Sequence, residues 1–600
     1  MTKSKKNIVN TDSTRHGRGS TLLRLFSYWR KPSICLIVII LFSLIGVACS
    51  LLAPYLLGIT IDQCINDVTT VGKSINFGHL GKMLLVFFSI NLTGSFCIWV
   101  QEYLLKRSTM KIIKTLCEEL MNKTLRLTIR CHNKRRRGEL MSYFTNDIEL
   151  IKNALSNCLV QLITSILTLI GSLLIMLHES VTLTVVACVT IPMTILLSRF
   201  IIRHTRAYFF QQQRALSTLN GMVEEYAVGI RTIKNFGQED NQNTKFKQLD
   251  KYVYETGKRA QIYSGILMPL LRVLDNLSYL LVTVVGAFLT FHGHLSVGMI
   301  QTFLLYTKNF QRPVNAIATQ INAIQAAIAG AGRIFVFLDE AEETDTTAIG
   351  TKFPKDQFPA RVDFNNVHFS YDGKTPTIDG VTFSIEPGET VAIVGTTGAG
   401  KTTLIHLLSK FYEIQEGSIS INGINIQSIS RIDLRSMLSI VFQEPFLFSE
   451  TVRYNIGYSQ ETVSDQALRT AAEAANIDTF IMSLPQQYEQ KLMKQGAGIS
   501  YGQQQLLTIS RAILADAPIL ILDEATSNID TRTELLLQQA IRRLTYKKTC
   551  LIIAHRLSTI RNADKIVVLE KGKVAEQGTH EVLLAQKGIY WEIFNANRNE

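Results

Sequence analysis

The sequence lacks the paired cysteine spacing on which metal clusters and disulfide frameworks depend. Its nine cysteines are scattered along the chain, so we expect neither kind of site and interpret most of them as small apolar fillers. An apolar core is also missing from residues 1–20, which are polar and basic. No signal peptide precedes the first long apolar run, so we expect this tail to be a disordered cytoplasmic segment.

Charge is absent from residues 32–61, a stretch longer than the roughly 20 apolar residues with which a helix crosses a bilayer. Before it, residues 21–31 mix apolar and basic positions at helical spacing, which favours a helix on the membrane surface. Further apolar runs follow, so we predict a membrane domain over 21–325 with six helices at about 33–58, 83–104, 155–177, 180–201, 263–290 and 295–325.

The net charge of +13 is unevenly distributed. A positive net charge could indicate nucleic-acid binding. The basic residues of the first half, however, cluster between apolar runs, as in the cytoplasmic loops of membrane proteins. The second-to-third connection holds Lys134–Arg137, whereas the first connection carries Lys73. We therefore expect a membrane protein with both termini inside the cell and no nucleic-acid partner.

The connections at roughly 105–154 and 202–262 are far longer than turns and carry helical patterns, so the membrane helices are expected to extend past the bilayer. The acidic, turn-rich residues 326–358 are interpreted as a linker. A chain of 600 residues is too long for one core. Because the composition then changes to that of a soluble α/β protein, a second domain is predicted at 359–600.

Four charged residues fall inside the last two predicted spans: Arg272, Asp275, Lys308 and Arg312. Each would cost about 2.5–3.5 kcal/mol at the bilayer centre if it faced lipid, so we expect them to face the helix bundle. Two interpretations remain open. They line a polar translocation path, or Arg272 and Asp275 form a structural pair on one helix turn.

The chemistry is centred on a glycine-rich stretch between an apolar strand, Thr390–Val394, and a helix start at Leu404–Leu408. Its spacing is that of a phosphate-binding loop, whose backbone N–H groups converge on an anion at a helix N-terminus. Lys401 is predicted to reach the β- and γ-phosphates, and Thr402 to bind Mg²⁺. The predicted nucleotide-binding residues here are Gly395, Thr396, Thr397, Gly398, Ala399, Gly400, Lys401, Thr402 and Thr403.

Two adjacent carboxylates follow the apolar run Ile519–Leu522. Parallel strands of α/β sheets bind ligands at their carboxyl ends. We predict that Asp523 holds Mg²⁺ through water and that Glu524 polarises the water that attacks the γ-phosphate. Upstream, Tyr371 could stack on an adenine ring, although an ordinary edge-strand tyrosine is the alternative.

The stretch Ile499–Gln505 resembles the Leu-Ser-Gly-Gly-Gln signature of ABC ATPases, and further motifs of that superfamily follow in order. Gln443 resembles the Q-loop glutamine, Ser527–Asp530 the D-loop, and His555 the switch histidine. Gly138–Asp147 and Leu219–Lys234 look like the intracellular loops of ABC exporters, which in that family end in coupling helices that dock onto the nucleotide-binding domains. The resemblance extends from about residue 21 to the C-terminus.

This resemblance implies a polytopic α-helical membrane domain followed by an α/β P-loop ATPase domain. The chain is similar to half-transporters of bacterial heterodimeric multidrug exporters, which use ATP and Mg²⁺ in the cytoplasmic membrane. The resemblance assigns catalysis to Lys401, Glu524 and His555, metal binding to Thr402, Gln443 and Asp523, and further ATP contacts to Tyr371, Gln443, Ser500, Gly502, Gln503 and Asp530. Export of hydrophobic or amphipathic molecules is expected. A lipid flippase and a regulatory ATP-binding subunit are the alternatives.

Two positions depart from the family pattern. Tyr501 replaces the first glycine of the signature, and Lys494 stands where the family usually has glutamate. In that family a signature serves the ATP held by the facing domain, so a dimer is required. The intact phosphate side and the unusual signature favour a heterodimer in which this chain supplies the competent catalytic site.

Overall fold

A computed structural model of the chain describes residues 18–28, 33–69, 77–135, 137–343, 359–493, 496, 498–523, 530–554 and 560–598. The described residues form two compact units. The first, helical unit falls within Met1–Leu125 and Arg136–Glu340. The second unit falls within Arg126–Arg135 and Ala341–Glu600. A short segment from the middle of the predicted membrane domain therefore packs with the soluble part of the chain.

The first unit is built of long helices joined by short breaks. They are α1 (Arg18–Ser27), α2 (Ser33–Thr69), α3 (Phe77–Arg126), α5 (Arg137–Ser142), α6 (Ile148–Asn153), α7 (Leu159–Glu179), α8 (Val181–Val228), α9 (Ile230–Asn235), α10 (Glu239–Phe291) and α11 (Val297–Leu338), with α4 (Ile129–Lys134) in the second unit. Two π-helical turns, Tyr143–Asp147 and Ala154–Cys158, flank α6. The 53 residues of α10 extend about 80 Å at 1.5 Å per residue, far beyond a hydrocarbon core of about 30 Å.

Among the described residues, five helical stretches are long and apolar enough to cross a membrane: Cys35–Asp67, Phe77–Arg126, Arg137–Glu179, Val181–Ile201 and Glu239–Phe291. Apart from residues 295 and 296, the predicted span at 295–325 falls within α11, where several side chains lie outside the described residues. The count of six spans therefore stays a prediction. The third and fourth predicted spans are separated by Ser180, whose extended backbone ends α7 and whose hydroxyl caps α8 at Leu183.

The charged residues Arg272, Asp275 and Lys308 of the last two predicted spans have described side chains. Arg272 and Lys308 are exposed in the single chain, and Lys308 Nζ lies 5.6 Å from the ring centre of Tyr279. Within the described part of the chain, Arg272 and Asp275 form no ion pair with each other. The pair interpretation therefore has no support, and the polar path stays a prediction. The Arg312 side chain lies outside the described residues.

Helices α2 and α11 approach closely at two glycines. A Cβ added at Gly298 would lie 2.1 Å from the Gly58 carbonyl oxygen, and one at Gly58 would lie 2.0 Å from Thr302 Oγ1. Asp62 fixes the same contact because it accepts hydrogen bonds from Ser296 Oγ at 2.5 Å and from the Gly298 amide at 2.7 Å. The backbones touch here only because neither position carries a side chain.

The second unit contains two sheets. A four-stranded antiparallel sheet has the order β2-β1-β4-β5, and a six-stranded sheet has the order β10-β9-β3-β8-β7-β6. In the larger sheet all neighbours are parallel except β9 and β10. The strands are β1 (Val362–Phe369), β2 (Ile378–Ile385), β3 (Thr390–Gly395), β4 (Glu416–Ile421), β5 (Ile424–Asn425), β6 (Leu438–Val441), β7 (Ile519–Asp523), β8 (Thr549–Ile553), β9 (Lys565–Glu570) and β10 (Lys573–Gly578).

The helices of the second unit pack with the sheets and with one another. They are α12 (Lys401–Leu408), α13 (Arg431–Ser436), α14 (Val452–Ile456), α15 (Asp465–Ala474), α16 (Asp478–Ser483), α17 (Tyr501–Ala515), α18 (Thr531–Thr545), α19 (His580–Gln586) and α20 (Ile589–Arg598). Strand β3 is buried on both faces. Ala392 and Val394 pack with the helices of one core, whereas Val391 and Ile393 pack with the antiparallel sheet in the other. Burial of both faces explains why this strand is apolar without alternation.

We expect Gly298→Ala to destabilise the helical unit, because the new methyl group forces α2 and α11 apart. Overpacking of this kind costs about 1–3 kcal/mol. The matched control is Gly332→Ala in the same helix, where an added Cβ meets nothing within 4 Å. The control should be neutral or slightly stabilising, since alanine is the better helix former. Thermal unfolding midpoints of the detergent-purified full chain report the difference. Equal midpoints for the two variants would contradict the close contact.

Candidate functional site

The glycine-rich loop connects the carboxyl end of β3 to the N-terminus of α12. Two of its glycines are required by geometry. A Cβ at Gly395 would lie 2.3 Å from the Leu569 carbonyl oxygen. Gly400 caps the helix with a φ of 101°, and a Cβ there would lie 2.7 Å from Ile378 Cδ1. The loop can take this path only with glycine at both positions.

The loop exposes its tip and buries its base. Thr396, Thr397 and Gly398 are exposed, as is Thr402 at the start of α12, whereas Ala399 and Thr403 are buried. Lys401 is only 7% exposed, and its Nζ donates to the carbonyl oxygens of Gly395 at 2.7 Å and Thr396 at 3.1 Å. The lysine ammonium is therefore held against the loop, beside backbone N–H groups at a helix N-terminus that favour an anion.

Asp523 reaches the same edge of the sheet as this loop. Strand β8 lies between β3 and β7, and its residue Ile553 is in register with both Ile393 and Asp523. Because the three strands are parallel, the carboxylate emerges level with the last residues of β3. Strand β6 is parallel to β7, with Val441 opposite Leu522. Gln443 therefore follows the same edge, and it is exposed.

Tyr371 is anchored to the helix that follows the loop. Its hydroxyl lies 3.2 Å from both Thr403 Oγ1 and His406 Nδ1. Burial lowers the pKa of His406 below its ordinary value, so its ring is neutral at pH 7 and can accept a hydrogen bond. Edge-to-face contacts with Phe369 and Tyr412 fix the ring, which remains 38% exposed. The exposed ring is suited to stacking on a planar ligand.

The turn after Tyr371 is held by Asp372. Its Oδ1 accepts hydrogen bonds from the amides of Lys374 at 2.8 Å and Thr375 at 2.9 Å. These bonds, together with that from Ser370, lower the pKa of Asp372 to about 2. The carboxylate is therefore ionised at physiological pH and keeps the turn closed beside the tyrosine.

Helix α4 contacts this region in a way that the sequence did not predict. Arg130 Nη2 donates to the Tyr371 carbonyl oxygen at 3.3 Å, and Asn133 Nδ2 donates to the Tyr412 hydroxyl at 3.1 Å. Thr128 caps the helix by accepting from the Cys131 amide. The segment that packs in the second unit thus lies just before Gly138–Asp147, the stretch that resembles an intracellular loop of ABC exporters. Arg130 gave no stronger signal in the sequence than the other basic residues of its connection.

The signature stretch is tied to the segment that contains Gln443. The hydroxyl of Tyr501 donates to the Gln443 carbonyl oxygen at 2.5 Å. Gln505, which is fully buried, donates through Nε2 to the same oxygen at 2.9 Å and to the Phe442 carbonyl oxygen at 3.2 Å. One backbone oxygen therefore receives two donors from the first turns of α17. The tyrosine at the unusual signature position is thus part of a hydrogen-bonded contact within its own chain.

Two of the predicted ligand residues act as helix caps. Ser500 caps α17 and forms a capping box with Gln503. The backbone N–H of Gln503 donates to Ser500 Oγ at 3.3 Å, and the backbone N–H of Ser500 donates to Gln503 Oε1 at 3.1 Å. Gly502 is buried in the first turn. Asp530 caps α18 through the Thr533 amide at 3.0 Å, and this bond lowers the pKa of the carboxyl group.

The structure brings part of the predicted set together and leaves part untested. The phosphate loop, Asp523 and the Gln443 segment follow one edge of the larger sheet, and Tyr371 contacts α12 beside the loop. Four predicted features lie outside the described residues: Glu524, His555, Lys494 and the D-loop residues 527–529. Their roles remain predictions, although β7 and β8 direct the chain towards this edge immediately before Glu524 and His555.

Two protein families match the chain: the ABC transporter transmembrane region at residues 36–314 and the ABC transporter family at residues 378–527. The chain is 38% identical over 576 residues to the uncharacterized ABC transporter ATP-binding protein YfiC of Bacillus subtilis (strain 168), covering 96% of this chain and 94% of YfiC. It is 39% identical over 528 residues to the fatty acid ABC transporter ATP-binding/permease protein of Mycobacterium tuberculosis (strain CDC 1551 / Oshkosh), covering 88% of this chain and 83% of that protein.

Among solved structures, the fold is similar to that of a bacterial Atm1-family ABC exporter with ATP bound. The TM-score is 0.74 at 26% identity, with 94% of this chain and 98% of the exporter chain covered. The likeness extends over both units of the chain, so it supports the order of a helical membrane domain followed by a nucleotide-binding domain that the sequence predicts.

We expect Tyr501→Phe to loosen the Gln443 segment, because the Gln443 carbonyl oxygen loses one of its two donors. A typical hydrogen bond contributes about 0.5–1.5 kcal/mol, so amide exchange in residues 441–446 should accelerate severalfold. Gln505→Leu should have the larger effect, since it leaves two carbonyl oxygens without this partner. Tyr454→Phe is the control, because the Tyr454 hydroxyl forms no hydrogen bond among the described residues. Unchanged exchange in both test variants would contradict this arrangement.

Proposed function

Since this chain belongs to the ABC transporter family, with a transmembrane region and an ATP-binding domain in one polypeptide, we propose that it is one half of an exporter driven by ATP hydrolysis. The observation that supports this proposal best is that the phosphate loop and Asp523 emerge from parallel strands at the same edge of the sheet. The described residues combine that edge with five helices apolar enough to cross a membrane, which supports an ATP site coupled to a membrane passage.

The triphosphate of ATP would lie on the loop Gly395–Thr403. Backbone N–H groups at the start of α12 face the phosphates, and Lys401 exchanges its two carbonyl contacts for phosphate oxygens. Tyr371 offers its exposed ring to the adenine, as its anchoring to Thr403 and His406 favours. The donor set also fits Mg²⁺, a hard cation that uses one or two carboxylates with phosphate oxygens and water. Asp523, Thr402 and Gln443 would hold it, and the ion would neutralise phosphate charge.

Hydrolysis needs a base and a group that contacts the γ-phosphate. Glu524 directly follows the strand-end Asp523 in the chain, so we assign it the role of orienting and polarising the attacking water. His555 comes two residues after β8, the strand between those that carry Asp523 and the loop. We assign it the γ-phosphate contact that the switch histidine makes in ABC ATPases. Both roles are proposed from chain order and from the ends of the described strands.

The opposite half of the ATP site would come from a second ABC domain. Ser500, Gly502 and Gln503 open α17, whose N-terminus suits a phosphate, and they would meet the partner's ATP. The phosphate side of this chain keeps every catalytic residue type, whereas its signature carries Tyr501. We therefore propose a heterodimer whose partner has a regular signature and a damaged catalytic glutamate or switch histidine.

Transport would follow from the closing and reopening of the two ATP sites. ATP favours the closed pair and hydrolysis releases it, so the membrane helices alternate between inward and outward access. The family resemblance and the name of the fatty-acid relative support a hydrophobic or amphipathic cargo. The basic connections favour a cytoplasmic location for both termini and for the ATPase domain.

Glu524→Gln in this chain should preserve ATP binding but slow hydrolysis by about 10²–10⁴, the usual contribution of a general base. The measurement pairs steady-state ATPase activity with nucleotide affinity in the purified two-chain complex. Glu461→Gln is the matched control, because it makes the same chemical change at an exposed position. Undiminished turnover in Glu524→Gln would remove this residue from the role of base.

The proposed heterodimer can be tested separately, because its two ATP sites should contribute unequally to hydrolysis. Two-chain preparations should lose nearly all ATPase activity on Glu524→Gln in this chain but little on Tyr501→Ala, because the Tyr501 signature serves the site that does not need to turn over rapidly. Tyr501→Ala loosens the Gln443 segment, but Gln505 still donates to the Gln443 carbonyl oxygen, so we expect the chain's own site to stay assembled. Full transport by this chain expressed alone, as a homodimer, would contradict the proposal.

A further inference from the structure

The helical unit contains a cavity of about 480 Å³ between α2, α3 and the start of α7, a size typical of small-molecule sites. More than half of its lining residues are polar. The lining residues include Ser43, Gln101, Glu102, Lys106, Ser156 and Asn157. All of them belong to the first unit. Such a polar lining is unusual between helices that are apolar enough to cross a membrane.

Two lining side chains are buried without the hydrogen bonds they need. Gln101 is 4% exposed and Ser43 is 2% exposed, and neither Gln101 Oε1 nor Ser43 Oγ has a partner among the described residues. An unpaired buried polar group is destabilising, more so where no water replaces the lost bond. Leucine or alanine would fill both positions at lower cost if packing alone determined them. Two such groups in one cavity are suited to a ligand that completes their hydrogen bonds.

The electrostatics of the lining define what that ligand can be. Its two charged residues, Glu102 and Lys106, pair with each other at 3.1 Å, so the cavity has no surplus charge. Gln161 is already bonded, since its Oε1 accepts from Gln320 Nε2 at 2.8 Å. A carboxylate or phosphate would enter without a free cation to balance it. It would also bring only acceptors, and these cannot satisfy the amide oxygen of Gln101.

The backbone at the cavity supports a binding role. Ser156 and Asn157 lie on the π-helical turn Ala154–Cys158 that precedes α7. Turns of this kind break the regular helical hydrogen-bond pattern and occur frequently at functional sites. The turn thus adds two polar side chains to the lining that α2 supplies with Ser43 and α3 with Gln101.

We propose that this cavity binds the polar end of an uncharged amphiphile that carries hydroxyl or amide N–H donors. Gln101 Oε1 and Ser43 Oγ accept hydrogen bonds from those donors, and the apolar part of the molecule extends along the helices. The ligand's identity as cargo rests on the proposed export function, whereas the binding itself does not. The chemistry selects a monoacylglycerol-like molecule over a free fatty acid of the same chain length.

The test is photolabelling of the purified complex without nucleotide at pH 7.5. The probes are a monoacylglycerol and the fatty acid with the same acyl chain, each with a diazirine next to its polar end. We expect the monoacylglycerol to label peptides 43–50, 98–106 and 156–168 at least about fivefold more than the fatty acid does. Gln101→Leu should reduce this labelling by at least about fivefold, the effect of one lost hydrogen bond.

A second readout shows that the variant is folded. Gln101→Leu removes a buried unpaired group, so its thermal midpoint without probe should equal or exceed that of the unsubstituted chain. Gln261→Leu, on an exposed position of α10, is the control and should leave labelling unchanged. Equal labelling by both probes, labelling outside the cavity, or full labelling of a folded Gln101→Leu would overturn the inference. Labelled complex that fails to transport would count against the export proposal instead.

Discussion

The close approach of Gly395 to the Leu569 carbonyl oxygen is the constraint on which the second unit depends. It joins the end of the central strand to its neighbour β9, and it determines where the phosphate loop leaves the sheet. Because β3 is buried on both faces, its position is fixed by two cores, and α12 begins where that position directs it. Any side chain at residue 395 would have to displace backbone, so the anion-binding geometry and the packing of the domain are inseparable.

Local patterns identified most of the phosphate side. The loop spacing, the apolar run before Asp523 and the signature at the start of a helix were each visible within a few neighbouring residues, and the family and fold they predict are confirmed. The contacts that join these parts could not be read in this way. Arg130 and Tyr371 are 241 residues apart, and the hydrogen bonds of Tyr501 and Gln505 converge on a carbonyl group, which has no sequence signature. The span count and the residues outside the described ranges remain predictions.

The helical unit shows why a membrane domain is harder to read from sequence. Apolar runs reveal helices but not the faces that they turn towards each other, since lipid and protein neighbours are equally apolar. The glycine contact between α2 and α11 and the polar cavity lined by α2 and α3 both depend on helix rotation. In the cavity, the buried unpaired groups of Gln101 and Ser43 destabilise the fold. Such local destabilisation is expected at functional sites. The two units thus carry their functional chemistry in different ways. One uses a loop pattern that is local in sequence, and the other uses single polar residues brought together by packing.

The central claim is that the signature of this chain faces the phosphate loop of a second ABC domain when ATP is bound. Replacement of Tyr501 by p-azidophenylalanine, followed by photolysis of the complex and mass spectrometry, tests it directly. Without ATP, we expect cross-links within the chain near Gln443. With ATP and the Glu524→Gln substitution, a product of two chains should form, joined at a phosphate-loop peptide of the facing domain. A pattern that ATP does not change, or cross-links confined to a single chain in both conditions, would contradict the account.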